Sequence, residues 1–159
     1  MSDIITRKAQ LDDVSQVADL LIDFYNIGDL KEAKEIFLSE IKKGHKYLVA
    51  CQKSQVVGLV TWLPHGLPKH GLFELDRICI SSKLRGGGIG KLLKDALVTD
   101  AENWFLSKKA EIRKLYLLTH ESNTSAHKFY EKVGFIHEAT LKDHYYRGND
   151  ERVYSIFFN

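Results

Sequence analysis

The chain has few of the features that would commit it to a membrane, to nucleic acid or to secretion. No stretch of its 159 residues approaches the roughly 18 consecutive apolar residues of a membrane-spanning helix. The N-terminal residues M-S-D-I-I-T-R-K lack the apolar core of a signal peptide. Lys and Arg number 23 against 21 Asp and Glu, and the basic residues are spread along the chain, so no electrostatic footprint for nucleic acid is present. We therefore expect neither a membrane nor a nucleic-acid partner.

Cysteine is equally scarce, and its placement argues against disulfide or metal chemistry. The two cysteines, Cys51 and Cys79, lie inside apolar, strand-like runs without any paired spacing. Buried free cysteine packs as a small hydrophobic side chain, so two reduced thiols in a cytoplasmic protein are expected. No pair of histidines shows ligand spacing with a closing partner, and we expect no metal site.

The spacing of apolar residues predicts a single domain, residues 1–159, of the α/β class. The order of elements is β-α-α-β-β-β-α-β-α-β-β, which gives a mixed, twisted sheet of about seven strands flanked by about four helices. The almost wholly apolar run 115–119 is typical of a strand buried on both faces. The predicted strands are 4–8, 47–52, 56–63, 72–80, 115–119, 135–141 and 152–158, and the helices cover about 14–25, 33–41, 89–108 and 124–133.

A glycine-rich turn, L-R-G-G-G-I-G-K at residues 84–91, joins a strand pattern to a helix pattern. Such a turn exposes backbone N–H groups at a helix N-terminus, where the helix dipole adds positive potential. Sites of this kind bind phosphate. The turn therefore predicts a phosphorylated cofactor, and a plain surface turn is the alternative interpretation.

Two familiar phosphate motifs do not fit this turn. A Walker A loop needs four residues between its two glycines, whereas only three residues separate Gly86 from Gly90. It also needs Ser or Thr after the lysine, whereas Leu92 follows Lys91. A dinucleotide fingerprint needs a third glycine where this chain has lysine or leucine. The pattern that fits is R-x-x-G-x-G, beginning at Arg85.

This pattern resembles the acetyl-CoA pyrophosphate loop of the GNAT N-acetyltransferase superfamily. Residues 123–135, N-T-S-A-H-K-F-Y-E-K-V-G-F, are similar to the segment N-x-x-A-x-x-F-Y-x-K-x-G-F of the same superfamily. The two motifs stand in the family's order, and motif-level similarity covers residues 74–135. The resemblance implies the GNAT fold, in which strands 4 and 5 splay into a V, and acetyl-CoA (coenzyme A) as the cofactor.

The resemblance also implies how the cofactor is held. Backbone amides of the glycine turn would bind the pyrophosphate, with Arg85 or Lys91 adding charge, and main-chain groups of the preceding strand would bind the pantetheine. Asn123 would lie near the pantetheine arm, although a helix N-cap is an equally good interpretation. The residues implied in cofactor binding are Ile78, Cys79, Ile80, Arg85, Gly86, Gly87, Gly88, Ile89, Gly90, Lys91, Asn123, Ala126, Tyr130 and Lys132.

Acetyl transfer to an amine needs an acid for the leaving thiolate and a path for the amine's proton. By motif position, Tyr130 resembles the family's tyrosine acid, and packing on an amphipathic helix is the alternative. Glu74 and Asp76 share one face of the strand 72–80, where carboxylates are costly unless they reach water or a partner. Glu74 is the first candidate for the base and Asp76 the second. An ion pair with Arg77 or Lys83, or a solvated end of the sheet, is the alternative interpretation.

The acceptor is expected to be a primary amine of a small molecule: a polyamine, an amino-acid-like amine or an amine antibiotic. Direct attack on the thioester is expected because both cysteines look buried and unactivated. Ribosomal-protein acetylases of the superfamily usually carry a carboxylate where this chain has Leu118, which disfavours a peptide acceptor. A non-catalytic acyl-CoA-binding module, or a peptide N-terminal acetyltransferase, remains the alternative.

Segments without motif similarity should line the acceptor pocket, and two of them are rich in histidine and tyrosine. His120 and His127, beside the second motif, are expected to be exposed. A homodimer could form through the closing strands, although core burial explains their apolar residues equally well. The proposed pocket segments are 24–31, 64–71 and 143–151.

Overall fold

The computed structural model describes residues 3–24 and 27–159, and within them seven strands and four α-helices follow the predicted order. Tyr25, which the sequence pattern assigns to the first helix, lies outside these residues. The strands are β1 (Ile4–Lys8), β2 (Lys46–Gln52), β3 (Gln55–His65), β4 (Leu72–Ile80), β5 (Lys114–His120), β6 (Ile136–Tyr146) and β7 (Asn149–Phe157). The helices are α1 (Val14–Phe24), α2 (Leu30–Lys42), α3 (Ile89–Ser107) and α4 (Thr124–Lys132).

The strands form one mixed sheet in the hydrogen-bonded order β1-β2-β3-β4-β5-β7-β6. Strands β4 and β5 are parallel, whereas the pairs β1–β2, β2–β3, β5–β7 and β6–β7 are antiparallel. The predicted α/β fold class is thus confirmed. By internal contacts the chain divides into a first unit, Met1–Leu63 with Arg77–Asp100, and a second unit, Pro64–Asp76 with Ala101–Asn159.

The first unit is built around apolar faces of α1, α2 and β2. Helix α1 buries Val17 and Leu21 at helical spacing, and Phe37 of α2 packs edge-on against Tyr47 of β2, with ring centroids 5.0 Å apart. Cys51 and Cys79 are buried thiols outside any disulfide, as predicted. Their thiols are part of this apolar packing rather than of a reactive site.

The second unit is built around β5, and here one sequence prediction is wrong. Residues Leu115 and Leu117 are buried, but the alternating residues Tyr116 and Leu118 are only half-buried. The strand is therefore covered completely on one face only. An apolar residue is common at half-exposed sheet positions, so an unbroken apolar run did not establish two covered faces.

The closing hairpin also differs from the prediction. Strand β6 ends at Tyr146 and strand β7 begins at Asn149, so most of the predicted loop 143–151 lies within the two strands, with an irregular register between Leu141 and Tyr146. Almost every residue of β6 is exposed, and its side chains lack the apolar alternation that marks a strand in sequence. Among the described residues, no helix combines the length and the hydropathy needed to cross a bilayer.

Candidate active site

The glycine turn connects β4 to α3 and its backbone requires glycine at two positions. After β4 ends at Ile80, a short 3-10 turn (Ser82–Leu84) leads to the glycines. Gly86 and Gly88 adopt left-handed φ angles of 82° and 88°, which side chains disfavour. No described atom lies within 4 Å of a Cβ added at either glycine. Backbone conformation, not crowding by neighbouring atoms, requires these glycines, and the space over them is open.

The start of α3 presents amide groups to that open space. The first α-helical hydrogen bond runs from the amide of Leu92 to the carbonyl of Gly88, at 3.2 Å. The amides of residues 89–91 precede that bond, so helix geometry leaves them without an intrahelical acceptor. Together with the dipole of a 19-residue helix, they form a site suited to an anion.

Gly58 of β3 allows α3 to approach the sheet closely. A Cβ at this position would lie 3.1 Å from Cδ1 of Leu93, 3.2 Å from the carbonyl oxygen of Cys79 and 3.3 Å from Cγ2 of Ile89. Any side chain would push the first turns of α3 away from β3 and β4. Sequence reasoning missed this residue, although a lone glycine inside a strand is a known signal of close backbone approach.

The two cations beside the turn are already engaged within the protein. The Arg85 guanidinium donates to the carbonyl oxygen of Ile80 at 3.4 Å, and Nζ of Lys91 lies 2.6 Å from the Asp95 carboxylate. Burial would raise the pKa of Asp95, but hydrogen bonds from Lys91 and Lys94 outweigh it and lower that pKa. Part of the charge of Lys91 is therefore balanced along the helix. The backbone amides of residues 89–91, rather than the side chains of Arg85 and Lys91, are the groups of the turn best suited to bind an anion.

In the second unit, Asn123 caps α4. Its side-chain oxygen accepts hydrogen bonds from the Ala126 amide and the Ser125 hydroxyl, both at 3.2 Å. The capping interpretation of Asn123 is thus observed. A contact with the pantetheine arm stays a prediction, as do the cofactor roles of Ala126 and of the exposed Lys132 at the end of α4.

Tyr130 lies half-buried on α4 within a group of aromatic rings. Its ring centroid is 5.4 Å from Phe129, 5.7 Å from Phe135 and 6.0 Å from Tyr154. The amide of Phe135 also donates to the Tyr130 carbonyl, at 2.9 Å. The ring is therefore held from several sides while part of it remains accessible. Its role as an acid stays a prediction.

His127 is buried, contrary to the sequence prediction, whereas His120 is exposed as expected. The ring of His127 packs 5.6 Å from Tyr154, and its Nε2 lies 2.9 Å from the carbonyl oxygen of His120. That backbone acceptor removes most of the cost of burying an imidazole. His120 in turn pairs with the buried carboxylate of Glu151.

Glu74 and Asp76 differ in their surroundings. The Glu74 side chain is 16% exposed, and its Oε1 lies 3.0 Å from Nε2 of His65, the last residue of β3. Asp76 is exposed. Arg77, one suggested ion-pair partner, donates to Glu40 in the first unit. The partner of Glu74 is thus a histidine that sequence reasoning placed only among the pocket residues.

Two tyrosines complete what we call the acid–tyrosine cluster: His65, Glu74, Tyr116 and Tyr145. Glu74 and Tyr116 are register partners of parallel β4 and β5, and the Tyr116 ring lies 5.6 Å from that of His65. Burial raises the pKa of Tyr116 to about 12, and the charge of Glu74 adds to the shift. The pKa of Tyr145 is raised in the same way. Both phenols therefore stay neutral at physiological pH.

The pairing of β4 with β5 is short. It covers Leu72–Glu74 against Lys114–Tyr116, although β4 has nine residues and β5 has seven. Such a short parallel pair is what strands that splay apart would give. The V beyond Glu74 stays a prediction.

Of two surface cavities, the larger, of about 370 Å³, is lined by residues outside the predicted site, whereas the smaller, of about 230 Å³, includes Gly148, Asn149 and Asp150 of the proposed pocket segment 143–151. The larger borders β1 and β2 near Arg7, and the smaller borders the β6–β7 turn near Asn149. Neither includes the glycine turn or the acid–tyrosine cluster. We therefore assign the candidate site by backbone geometry and side-chain chemistry, not by cavity size.

A mixed sheet with a parallel β4–β5 pair, and a glycine turn at the start of α3, are features of an acetyltransferase fold. The model of the acetyltransferase (GNAT) family matches residues 14–135. The chain therefore belongs to the GNAT acetyltransferase family.

Three individual relatives that resemble this chain share less than 30% of its residues. The L-amino acid N-acetyltransferase AaaT of Escherichia coli K12 is 28% identical over 109 residues, which are 69% of this chain and 64% of that protein. The match thus spans less than two-thirds of the relative's length. A GNAT-family acetyltransferase structure from Desulfovibrio desulfuricans has a TM-score of 0.81 at 20% identity, covering 98% of this chain and 99% of that one. The structure of spermidine N-acetyltransferase SpeG of Vibrio cholerae has a TM-score of 0.77 at 18% identity, and the match covers 97% of this chain and 93% of that one. These structural likenesses establish the fold alone.

Proposed function

We propose that the protein transfers the acetyl group of acetyl-CoA to a primary amine of a small molecule. The observation that carries this proposal is the glycine turn at the start of α3, whose left-handed glycines face open space. Family membership supports acetyl-CoA as the ligand of the turn, since GNAT acetyltransferases generally use it. When bound, acetyl-CoA would supply the activated thioester.

The chain offers a fitting set of groups for that cofactor. Amides near Gly86–Gly90 would bind the pyrophosphate, and main-chain groups at Ile78–Ile80 would bind the pantetheine amides. A side chain at Gly86 or Gly88 would strain the turn and fill the space that a phosphate needs. In this proposal the residues of α4, Asn123 and Tyr130 among them, serve the same ligand.

Proton transfer is assigned to two groups. An aliphatic amine with a pKa near 10.4 is almost entirely protonated at pH 7, with on the order of one molecule in 10³ neutral. Glu74, or Asp76 in second place, would accept the proton that the amine must lose, directly or through water. The hydroxyl of Tyr130 would hold the proton that the departing thiolate needs.

The acceptor is proposed to be small. AaaT and SpeG are named as acetyltransferases of amino acids and of spermidine, and both acceptors are small-molecule amines. Leu118 occupies the β5 position at which the superfamily's ribosomal-protein acetylases usually carry a carboxylate, which disfavours a peptide acceptor. Single-domain organisation, cytoplasmic location and a homodimer stay predictions.

The experiment is a free-thiol assay with acetyl-CoA and a panel of polyamines, amino acids, amine antibiotics and N-terminal peptides. We expect amine-dependent thiol release from at least one small amine. Release with peptides alone would reassign the acceptor. Calorimetric binding of acetyl-CoA at micromolar concentration, without turnover of any amine, would instead favour a non-catalytic acyl-CoA-binding module.

A further inference from the structure

We propose that His65 is a positioning residue whose Nε2–H holds the carboxylate of Glu74 in place for proton transfer. The inference rests on the proposed function and on Glu74 as its base. Nε2 of His65 lies 3.0 Å from Oε1 of Glu74. An ionised carboxylate only accepts hydrogen bonds, so the neutral imidazole must carry its hydrogen on Nε2.

The end of the connection between β3 and β4 is tied to the start of β5. Gly71 ends the connection in the left-handed region, with φ 57°, and a Cβ there would lie 2.3 Å from the carbonyl oxygen of Glu111. The Gly71 carbonyl accepts from the amide of Arg113 at 2.8 Å, and the Arg113 guanidinium donates to the carbonyl of His70 at 2.8 Å. The segment that follows His65 is thus fixed to the start of β5.

The surroundings of the pair fix the histidine ring and leave the carboxylate partly accessible. The His65 ring lies 5.6 Å from Tyr116 of β5, whose pKa is raised by burial and then by the charge of Glu74. Asp76 of β4 and Tyr145 of β6 also belong to this electrostatic environment. Side-chain exposure is 35% for His65 and 16% for Glu74. The carboxylate can therefore be reached while one of its oxygens is held.

The pair divides the two oxygens of Glu74 between two tasks. Oε1 accepts the hydrogen bond from His65, and Oε2 is left to take the proton from the acceptor ammonium. That proton then passes to water, while the hydrogen on Nε2 stays with His65. A base held in this way needs no reorientation at the moment of transfer, which is the benefit of a supporting hydrogen bond.

The test compares His65→Leu, which fills similar space without a donor, with His65→Gln, whose amide can still donate. We expect kcat to fall roughly 10–100-fold in His65→Leu, the range for a misplaced reactive group. The KM for acetyl-CoA should stay unchanged, and His65→Gln should recover most of kcat. His137→Gln is the control, because His137 is exposed and its Nε2 contacts Ala139 and Thr140 of its own strand, β6. It should leave kcat unchanged.

A double-variant measurement separates positioning from general damage to the fold. In the Glu74→Gln background, His65→Leu should change kcat by less than about twofold, since residues that act as one unit are not additive. Equal losses in both backgrounds would overturn the proposal. So would a wild-type kcat for His65→Leu.

A third readout does not depend on turnover. The Nε2–H proton of His65 should exchange with water slowly enough to be seen by ¹H–¹⁵N NMR in the wild-type protein, and its signal should be lost in Glu74→Leu. An Nε2–H signal of equal strength in both proteins would overturn the pair, and the comparison can be made even if His65→Leu does not fold. A protein that acetylates no amine would contradict the proposed function instead, so the two failures are distinguishable.

Discussion

The glycine turn and the acid–tyrosine cluster differ in how many segments of the chain build them. The turn lies within residues 84–91, and its shape follows from left-handed backbone at Gly86 and Gly88. The cluster takes one residue each from β3, β4, β5 and β6. A backbone site built from one segment depends mainly on its own glycines and on the packing beneath them, whereas a side-chain site depends on every strand that contributes to it.

The largest effect we predict is on the turn. Gly88→Glu should abolish measurable binding of acetyl-CoA, because it strains the backbone and places a negative charge where phosphate would bind. Isothermal titration calorimetry measures the affinity. Gly44→Glu is the matched control, since Gly44 has a left-handed φ of 94° and no described atom within 4 Å of an added Cβ. Unchanged affinity in Gly88→Glu would reject the assignment of the turn.

The next effect tests whether catalysis depends on side chains rather than on the turn. Tyr130→Phe should lower kcat by roughly 10²–10⁴-fold while the affinity for acetyl-CoA is retained, because only the proton donor is removed. The ring can keep its packing against Phe135 and Tyr154. Steady-state kinetics and calorimetry on the same preparation measure both quantities. A wild-type kcat would assign Tyr130 to packing alone.

Within the cluster, the two carboxylates should differ. Glu74→Gln should lower kcat by roughly 10²-fold, because it removes the better-held base. Asp76→Asn should have the smaller effect, since Asp76 is exposed. The ratio of the two kcat values is the measurement. If Asp76→Asn has the larger effect, the two roles are exchanged.

A smaller effect concerns the support of the turn. Gly58→Ala should lower the free energy of unfolding by about 1–3 kcal/mol, because the added methyl group would contact Leu93 and Ile89 too closely. Urea unfolding measures this loss. Affinity for acetyl-CoA should fall as the start of α3 moves, while Tyr116→Phe should leave it unchanged. An affinity equal to wild type would mean that the turn does not depend on this contact.

The smallest effect is electrostatic and concerns Tyr116. Its pKa of about 12 lies above the ordinary value of 10.0 because of burial and the charge of Glu74. A raised pKa means that this group's contribution to stability is complete below pH 10 and is lost as pH rises toward 12. Absorbance at the phenolate band, with Tyr116→Phe as the reference, measures the titration. Glu74→Gln should lower the midpoint, and an unchanged midpoint would contradict their coupling.

Helix and strand positions were largely predictable because local patterns carry them. Strand β4 and the start of α3 agree with the sequence prediction to the residue, since apolar alternation and glycine punctuation mark both. The extension of β6 to Tyr146 was not predictable, because exposed strand residues carry no apolar period. His127 was wrongly predicted to be exposed, because its hydrogen-bond partner, the carbonyl oxygen of His120, comes within reach only when α4 has folded beside the end of β5.

The family, the order of elements and the position of the glycine turn were all predictable from the order of amino acids. Each of these depends on residues close together in the chain, whose spacing sets backbone conformation. The contacts of Glu74 with His65 and Tyr116 were not predictable in this way and are seen only in the folded molecule. Strand register brings those side chains together, and register is fixed by contacts between segments far apart in the chain.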